Sequence, residues 1–328
     1  MKMAGRSITY RQALNEALHE EMERDEKVLI LGEDVGVLGG VYGVTSGLYE
    51  KFGQERVVDT PISEDGFTGA ATGMALLGLR PVVEIMYPDF LPHAMNQLFS
   101  LASKIKYMFN GKVSAPFVIR TTIIQGRSSG GDHSQVLLPV FMHVPCFQVI
   151  SPSTPLDAKG LLKSAIRSER LSIFFEAASL YSLKGEVPQQ DYLIPIGKAE
   201  VKREGDDVTV VAFSEPLHRA LSAAVELEKD GISCEVIDLR TLMPLDEQTL
   251  LRSVRKTGRL VTVESSWRTC GVGSEIISLV AEKALEYLEA PVVRVSPPHI
   301  PEPASPSLVK HYVVDEDKVA KAVRNVLS

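Results

Sequence analysis

Cysteine is scarce in this sequence of 328 residues: Cys146, Cys234 and Cys270 stand far apart with no C-x-x-C pair. That argues against a zinc site and a disulfide framework, and fits reduced thiols in a cytoplasmic setting. Positive charge is also in deficit. With 35 Lys and Arg against 42 Asp and Glu, the net charge is -7, and a broad basic footprint for nucleic acid is missing. Uninterrupted apolar runs stay well short of the roughly 20 residues that span a bilayer, and residues 1–6 carry no apolar signal core. The expectation is therefore a protein without membrane or nucleic-acid partners.

Several catalytic signatures are absent too. The chain has no G-x-x-x-x-G-K-[ST] and no convincing G-x-G-x-x-G after a strand, so a self-contained nucleotide site is not evident. Gly271-Val-Gly273 is a fragment of such a pattern; it can bind an anion through helix N-terminal amides, although a tight turn is the plainer reading. Without a His-Glu-x-x-His motif, a Gly-x-Ser-x-Gly elbow or a dense carboxylate cluster, metalloprotease and serine hydrolase chemistry have little to stand on.

What is present is a globular composition, 45% hydrophobic and 23% charged, long enough for two ordinary domains. Residues 9–26 read as a helix, with Thr9 as its cap, Gln12 completing a capping box, and Leu14, Leu18 and Met22 recurring every four residues. Apolar runs at 28–31, 81–86, 116–120, 147–150 and 173–175 then alternate with helix-like stretches at 66–77, 92–108 and 156–167. Such alternation implies right-handed crossovers and a mostly parallel sheet. The Gly/Ala-rich stretch 66–78 reads as a helix buried against something, because small side chains let another backbone come close.

The expected architecture is α/β with two domains. The first, a parallel-sheet domain, covers residues 1–185, and a polar, proline-bearing linker covers 186–200. A smaller α/β domain follows over 201–328, with strands at 208–213, 234–239, 260–263 and 292–295, helices at 216–229, 247–256 and 274–288, and a closing amphipathic helix at 316–327 that carries Val319, Ala322, Val323 and Val326 on one face.

Two polar positions stand out. Glu64 follows strand-like 57–58 and precedes the Gly/Ala helix, where strand ends of α/β sheets present ligand-binding groups; taken alone, such a residue is more often a first-turn acid favoured by the helix dipole. His133 follows the flexible stretch Gly126-Arg-Ser-Ser-Gly-Gly-Asp132, and a loop histidine exchanges protons near neutral pH, though on statistics alone it reads as a surface residue.

Over essentially its full length the sequence resembles the beta subunits of the thiamine-diphosphate-dependent decarboxylating components of 2-oxo acid dehydrogenase complexes, in the transketolase-like group. The landmarks are Leu31-Gly-Glu-Asp-Val35, Gly39-Gly40, Gly47-Leu48, Arg56-Val57, Asp59-Thr-Pro-Ile-Ser-Glu64, Gly78-Leu-Arg-Pro81, Asp89-Phe90, His133-Ser-Gln135, Ser151-Pro152, Asp157-Ala-Lys-Gly160, Asp238-Leu-Arg-Thr241 and Pro244-Leu-Asp246. The resemblance implies a thiamine-pyrimidine-binding domain followed by a transketolase C-terminal-like domain. It also implies thiamine diphosphate shared with an alpha subunit that holds the diphosphate and its magnesium, in an alpha-two beta-two heterotetramer that docks a lipoyl acyltransferase core. That division accounts for the missing phosphate loop.

By the same resemblance Glu64 hydrogen-bonds the aminopyrimidine ring and favours the imino tautomer that removes the thiazolium proton. Met86 and Phe90 pack on that ring with Ile62 on the same wall, and Glu33 is a buried acid near the route joining two active sites. His133 lies near the substrate and the lipoyl group, as an acid or an orienting group. The catalytic pair is thus Glu64 and His133, and the cofactor-binding set is Glu64, Ile62, Met86, Phe90 and Glu33.

Two departures qualify the match: Cys146 stands where the family has glycine after Pro145, and the stretch Ser168-Glu-Arg-Leu171 leaves open whether a potassium site is present. The implied reaction is oxidative decarboxylation of a 2-oxo acid with acyl transfer to a lipoyl arm. Pyruvate is the first choice, since residues 263–267 and 271–275 look most like pyruvate-type chains, with branched-chain 2-oxo acids and acetoin as alternatives. Rival readings are a non-catalytic assembly module of the same fold and a nicotinamide-dependent oxidoreductase, the latter without its glycine fingerprint.

Overall fold

A computed structural model describes residues 5–328; Met1–Ala4, part of the N-terminal stretch read above, lie outside the described residues. The chain forms two compact units, one of residues 5–123 and 140–196, the other of 124–139 and 197–328.

The first unit carries β1 (Gly5–Thr9), β2 (Val28–Gly32), β3 (Val57–Asp59), β4 (Arg80–Glu84), β5 (Val118–Ile123), β6 (Gln148–Ile150), β7 (Ser172–Ala177) and β8 (Lys184–Pro188). Six of these run parallel in the order β6-β7-β5-β4-β2-β3. β2, β5, β6 and β7 are buried at every position, as expected of parallel strands covered on both faces. The helix Tyr10–Arg24 starts as its sequence predicts: the Thr9 hydroxyl accepts the Gln12 N–H at 3.1 Å, and the Gln12 side chain accepts the Thr9 N–H at 2.9 Å. Its outer face is tied to the helix Pro155–Arg167 by Lys159, which reaches Glu16 and Glu20 at 3.1 and 2.6 Å, and by Arg167, which reaches Glu21 at 2.6 Å.

Three expectations change here. Lys184–Pro188, read mostly as linker, is a strand paired antiparallel with β1. Only Val187 of β8 is fully buried, against Ile8 and Ala13, so the segment has too little alternation to read as a strand. Second, the single helix expected over 92–108 is three pieces: a 3-10 turn Pro88–Ala94 that holds Pro92, a π-helical stretch Asn96–Ala102 and an α-helix Ser103–Met108. A proline inside the first piece removes the N–H that an α-helix needs. Third, the Gly/Ala helix, Glu64–Leu76, is buried on one face only, through Phe67, Thr68, Ala71, Thr72 and Ala75. Its other face, with Gly66, Ala70 and Gly73, is exposed, and a Cβ built on Gly73 meets nothing within 4 Å.

The second unit holds β9 (Glu200–Arg203), β10 (Val208–Ala212), β11 (Cys234–Asp238), β12 (Thr241–Met243), β13 (Leu260–Val263) and β14 (Val293–Val295). A five-stranded sheet of order β14-β13-β10-β11-β9 is parallel except for β9. Val210, Val236 and Val261 from the sheet, Leu217 from the helix Glu215–Lys229, and Val319 and Val323 from the closing helix Glu316–Leu327 form its core. The expected apolar face of that last helix is buried at all four positions.

Candidate functional site

In the first unit, the carboxyl ends of β2 and β3 lie side by side, and the loop after each is anchored to the other. Asp59, the last residue of β3, accepts the Gly36 N–H at 2.7 Å. A side chain at Gly36 would place its Cβ 2.5 Å from that carboxylate, so the close approach needs glycine. Five residues beyond the end of β3 the chain enters the helix Glu64–Leu76 with Glu64 as its first residue, only 8% exposed and placed where the helix dipole favours a negative charge. Thr60 and Thr68, four residues to either side of Glu64, hold buried hydroxyl oxygens without a hydrogen-bond partner.

Glu33, just past β2, is half-buried rather than buried. Burial pushes its carboxyl above the usual range, and the charges of Glu64 and Asp34 add to the shift. Glu33 and Glu64 therefore share one acidic corner at the end of the sheet.

The apolar part of the site comes from the end of β4 and the 3-10 turn after it. Met86 and Phe90 are half-buried. The Phe90 ring lies nearly parallel to the His93 ring, at 6.0 Å and 9°, and meets Tyr87 edge-on at 5.6 Å. His93 Nδ1 lies 3.3 Å from Glu64 Oε1. The expected wall is incomplete, however, because Ile62 is 83% exposed, as are Val37 and Leu38 at 68% and 71%. This chain alone does not enclose an apolar ring at Glu64.

Sequence reading missed a charged cluster inside the same sheet. Arg120 on β5, 2% exposed, donates to both carboxylate oxygens of Glu176 on β7 at 2.7 and 2.9 Å and to Glu84 on β4 at 2.6 Å. Tyr181 donates to Glu176 at 2.7 Å and shares a contact of the same length with Thr122. Burial works against the charge on Arg120, but Glu176 and Glu84 outweigh it and hold the guanidinium above its ordinary value. The signal was a buried charge in each of three neighbouring parallel strands, Glu84, Arg120 and Glu176, which a buried sheet tolerates only when the charges meet.

His133 belongs to the second unit, within residues 124–139. Its side chain is 39% exposed, and Nδ1 lies 3.3 Å from Asp132 Oδ2. The glycine-rich stretch before it is held at close range: Gln125 donates to the Ser265 carbonyl at 3.0 Å, and Glu302 accepts the Gly126 N–H at 3.0 and 3.1 Å. A Cβ on Gly131 would fall 2.8 Å from Pro301.

The Gly271-Val-Gly273 fragment does cap an anion, and the anion is internal. Glu264, at the end of β13, accepts the N–H groups of Val272 and Gly273 at 2.8 and 2.9 Å, where the helix Val272–Lys283 begins, and Ser266 donates to it as well. Trp267 Nε1 donates to the Ile300 carbonyl at 2.9 Å and to the Tyr312 hydroxyl at 3.0 Å. The residues that looked most like pyruvate-type chains thus hold the second unit together, and these contacts express no preference among 2-oxo acids.

Cys146 has φ +81°, the left-handed region that favours glycine. The turn thus adopts a conformation that favours glycine while carrying a side chain.

Two family profiles match the chain, "Transketolase, pyrimidine binding domain" over residues 6–184 and "Transketolase, C-terminal domain" over residues 197–319. The chain is 46% identical to the 2-oxoisovalerate dehydrogenase subunit beta of Bacillus subtilis, over 97% of this chain and 98% of that one. It is 44% identical to the Acetoin:2,6-dichlorophenolindophenol oxidoreductase subunit beta of Cupriavidus necator, over 98% of each. It is also 44% identical to the pyruvate dehydrogenase E1 component subunit beta of Rickettsia felis, over 97% of this chain and 98% of that one. A solved structure described as "Split gene transketolase, inactive beta4 tetramer" superposes with a TM-score of 0.81 at 26% identity, covering 98% of each chain.

Proposed function

The chain belongs to the transketolase-like family of 2-oxo acid dehydrogenase beta subunits, and from that premise we propose that it contributes the aminopyrimidine half of a thiamine diphosphate site completed by an alpha subunit. One observation carries the reading: Glu64, a buried acid at the end of a parallel sheet, lies 3.3 Å from His93, whose ring stacks on Phe90, while Ile62 two residues before it is left exposed. The sequence has no phosphate loop of its own, so the diphosphate and its magnesium fall to the partner.

The residues present fit an aminopyrimidine ring, which is flat and apolar on its faces and polar along its edge. Met86 and Phe90 offer the apolar contact, Glu64 the acceptor for a ring N–H, and the unpartnered Thr60 and Thr68 hydroxyls are further polar atoms on either side of Glu64 in sequence. Thiamine diphosphate, when bound, supplies the acidic thiazolium carbon that attacks a 2-oxo acid carbonyl. Glu64 orients and polarises the ring edge through a charge-assisted hydrogen bond, strengthened where Met86, Phe90 and a partner surface over Ile62 exclude water. The raised carboxyl of Glu33 beside it lets that acid hold a proton at a pH where an ordinary carboxylate has lost it. His133 acts later, at the lipoyl sulfur, as a proton donor or orienting group.

The assembly that fits this division is an alpha-two beta-two heterotetramer docked on a lipoyl acyltransferase core. The three free cysteines favour a cytoplasmic setting. Relatives acting on three kinds of substrate match at 46% and 44% identity, so pyruvate, branched-chain 2-oxo acids and acetoin are all carried into the test. The chain is assayed alone and with its alpha subunit, thiamine diphosphate and magnesium. Turnover of one of these substrates is expected only from the pair, and robust turnover by the chain alone contradicts the shared site.

A further inference from the structure

The second unit contains a buried acid that the proposed chemistry does not use. Glu302 is 4% exposed. Both its oxygens accept the Gly126 N–H, at 3.0 and 3.1 Å, and the Ser128 backbone also donates to it. The loop is shaped for this grip. Gly126, Ser128 and Gly130 all have positive φ, at +87°, +60° and +80°, and within this turn the Gly126 and Ser128 N–H groups both point to the Glu302 carboxylate. On its far side Gly131 lies so near Pro301 that no side chain fits there without displacement. Residues 301 and 302 therefore hold the loop at two points, one polar and one steric, immediately before His133.

We propose that Glu302 is the positioning residue of the His133 loop, fixing through the Gly126 and Ser128 amides the turn that presents this loop to the lipoyl step. The loop's glycines serve close approach to Glu302 and Pro301, and its order derives from a residue far along the chain. Neutral replacement of the carboxylate removes the charge-assisted acceptor of the Gly126 and Ser128 amides and with it the tie that holds the turn. The inference rests on the reading of His133 given above, and its test separates the two.

Arg127 is the sole trypsin site between Arg120 and Lys159, so cleavage there reports loop opening directly. In the full chain, Glu302→Ala is expected to raise cleavage after Arg127 and hydrogen exchange across 126–132 about tenfold or more, while exchange in β10 and β13 stays as in the parent. Glu302→Gln, which keeps one acceptor oxygen, is expected to fall between. In the reconstituted complex, Glu302→Ala is expected to lower kcat for lipoyl-dependent turnover more than decarboxylation read with an artificial electron acceptor, whereas general loss of structure lowers both together. Unchanged cleavage and exchange overturn the proposal, as does a released loop with both rates unaltered. His133→Ala is run beside it: if that variant is silent while Glu302→Ala shows the split, the His133 reading fails and the role of Glu302 in holding the loop stands.

Discussion

Arg120 and Glu176 face each other from β5 and β7, joined by two hydrogen bonds at 2.7 and 2.9 Å with almost no solvent access to either side chain. Removing one member leaves the other as a buried charge without its counter-ion, the costly way to break such a pair. Arg120→Met is expected to destabilise the first unit by about 3–5 kcal/mol. Thermal unfolding of the variant beside the parent checks this, and an unchanged midpoint would show that Glu84 and Glu176 are accommodated without the guanidinium.

The turn at Cys146 gives a gain-of-stability prediction. A non-glycine residue in the left-handed region is strained by about 1–2 kcal/mol, and glycine gives back about 0.5–1 kcal/mol through the freer unfolded chain. Cys146→Gly is therefore expected to stabilise the first unit modestly, by up to about 1 kcal/mol. A denaturation midpoint that falls instead would mean the exposed cysteine makes contacts worth more than the strain.

Acid sensitivity is expected to reside where the helices Tyr10–Arg24 and Pro155–Arg167 meet. Burial raises the Glu20 carboxyl, but hydrogen bonds from Lys159 and Lys163 outweigh this and hold it below its ordinary value. Asp191 is held low chiefly by its hydrogen bond from Lys163. A carboxylate with a depressed folded value adds stability that is complete above its unfolded value, about 4, and disappears as pH falls through the folded one. The thermal midpoint should thus drop between about pH 5 and pH 3. Glu20→Gln should start lower and fall less steeply, and parallel curves for the two proteins would remove Glu20 from the acid response.

Local chemistry made much of this molecule legible. The Thr9–Gln12 box joins residues three apart, and the closing helix displays its buried stripe in twelve residues, so both are written in adjacent text. Glu64 is legible because a strand end and a helix start coincide in sequence and because the family motif runs through it. Contacts that tie distant segments were hidden: Glu302 reaches Gly126 across 176 residues, and Arg120 meets Glu176 across 56. His93 escaped notice because Pro92 breaks the expected helix into a 3-10 turn and points attention away from the position that lies against Glu64. The β8 sequence reads as linker because one buried valine does not make an alternating pattern.

The account turns on Glu64, and Glu64→Gln tests it with almost no change in shape. The measurement is hydrogen–deuterium exchange at the thiazolium carbon of thiamine diphosphate bound to the assembled alpha and beta chains, with cofactor binding followed separately by calorimetry. Removing one preorganised hydrogen-bonding group, such as an oxyanion-hole donor, costs roughly 10²–10³-fold in rate, and a fall of that order with assembly and fold intact is the result expected here. An exchange rate equal to that of the parent would contradict the role of Glu64 and return it to a capping acid at the start of its helix.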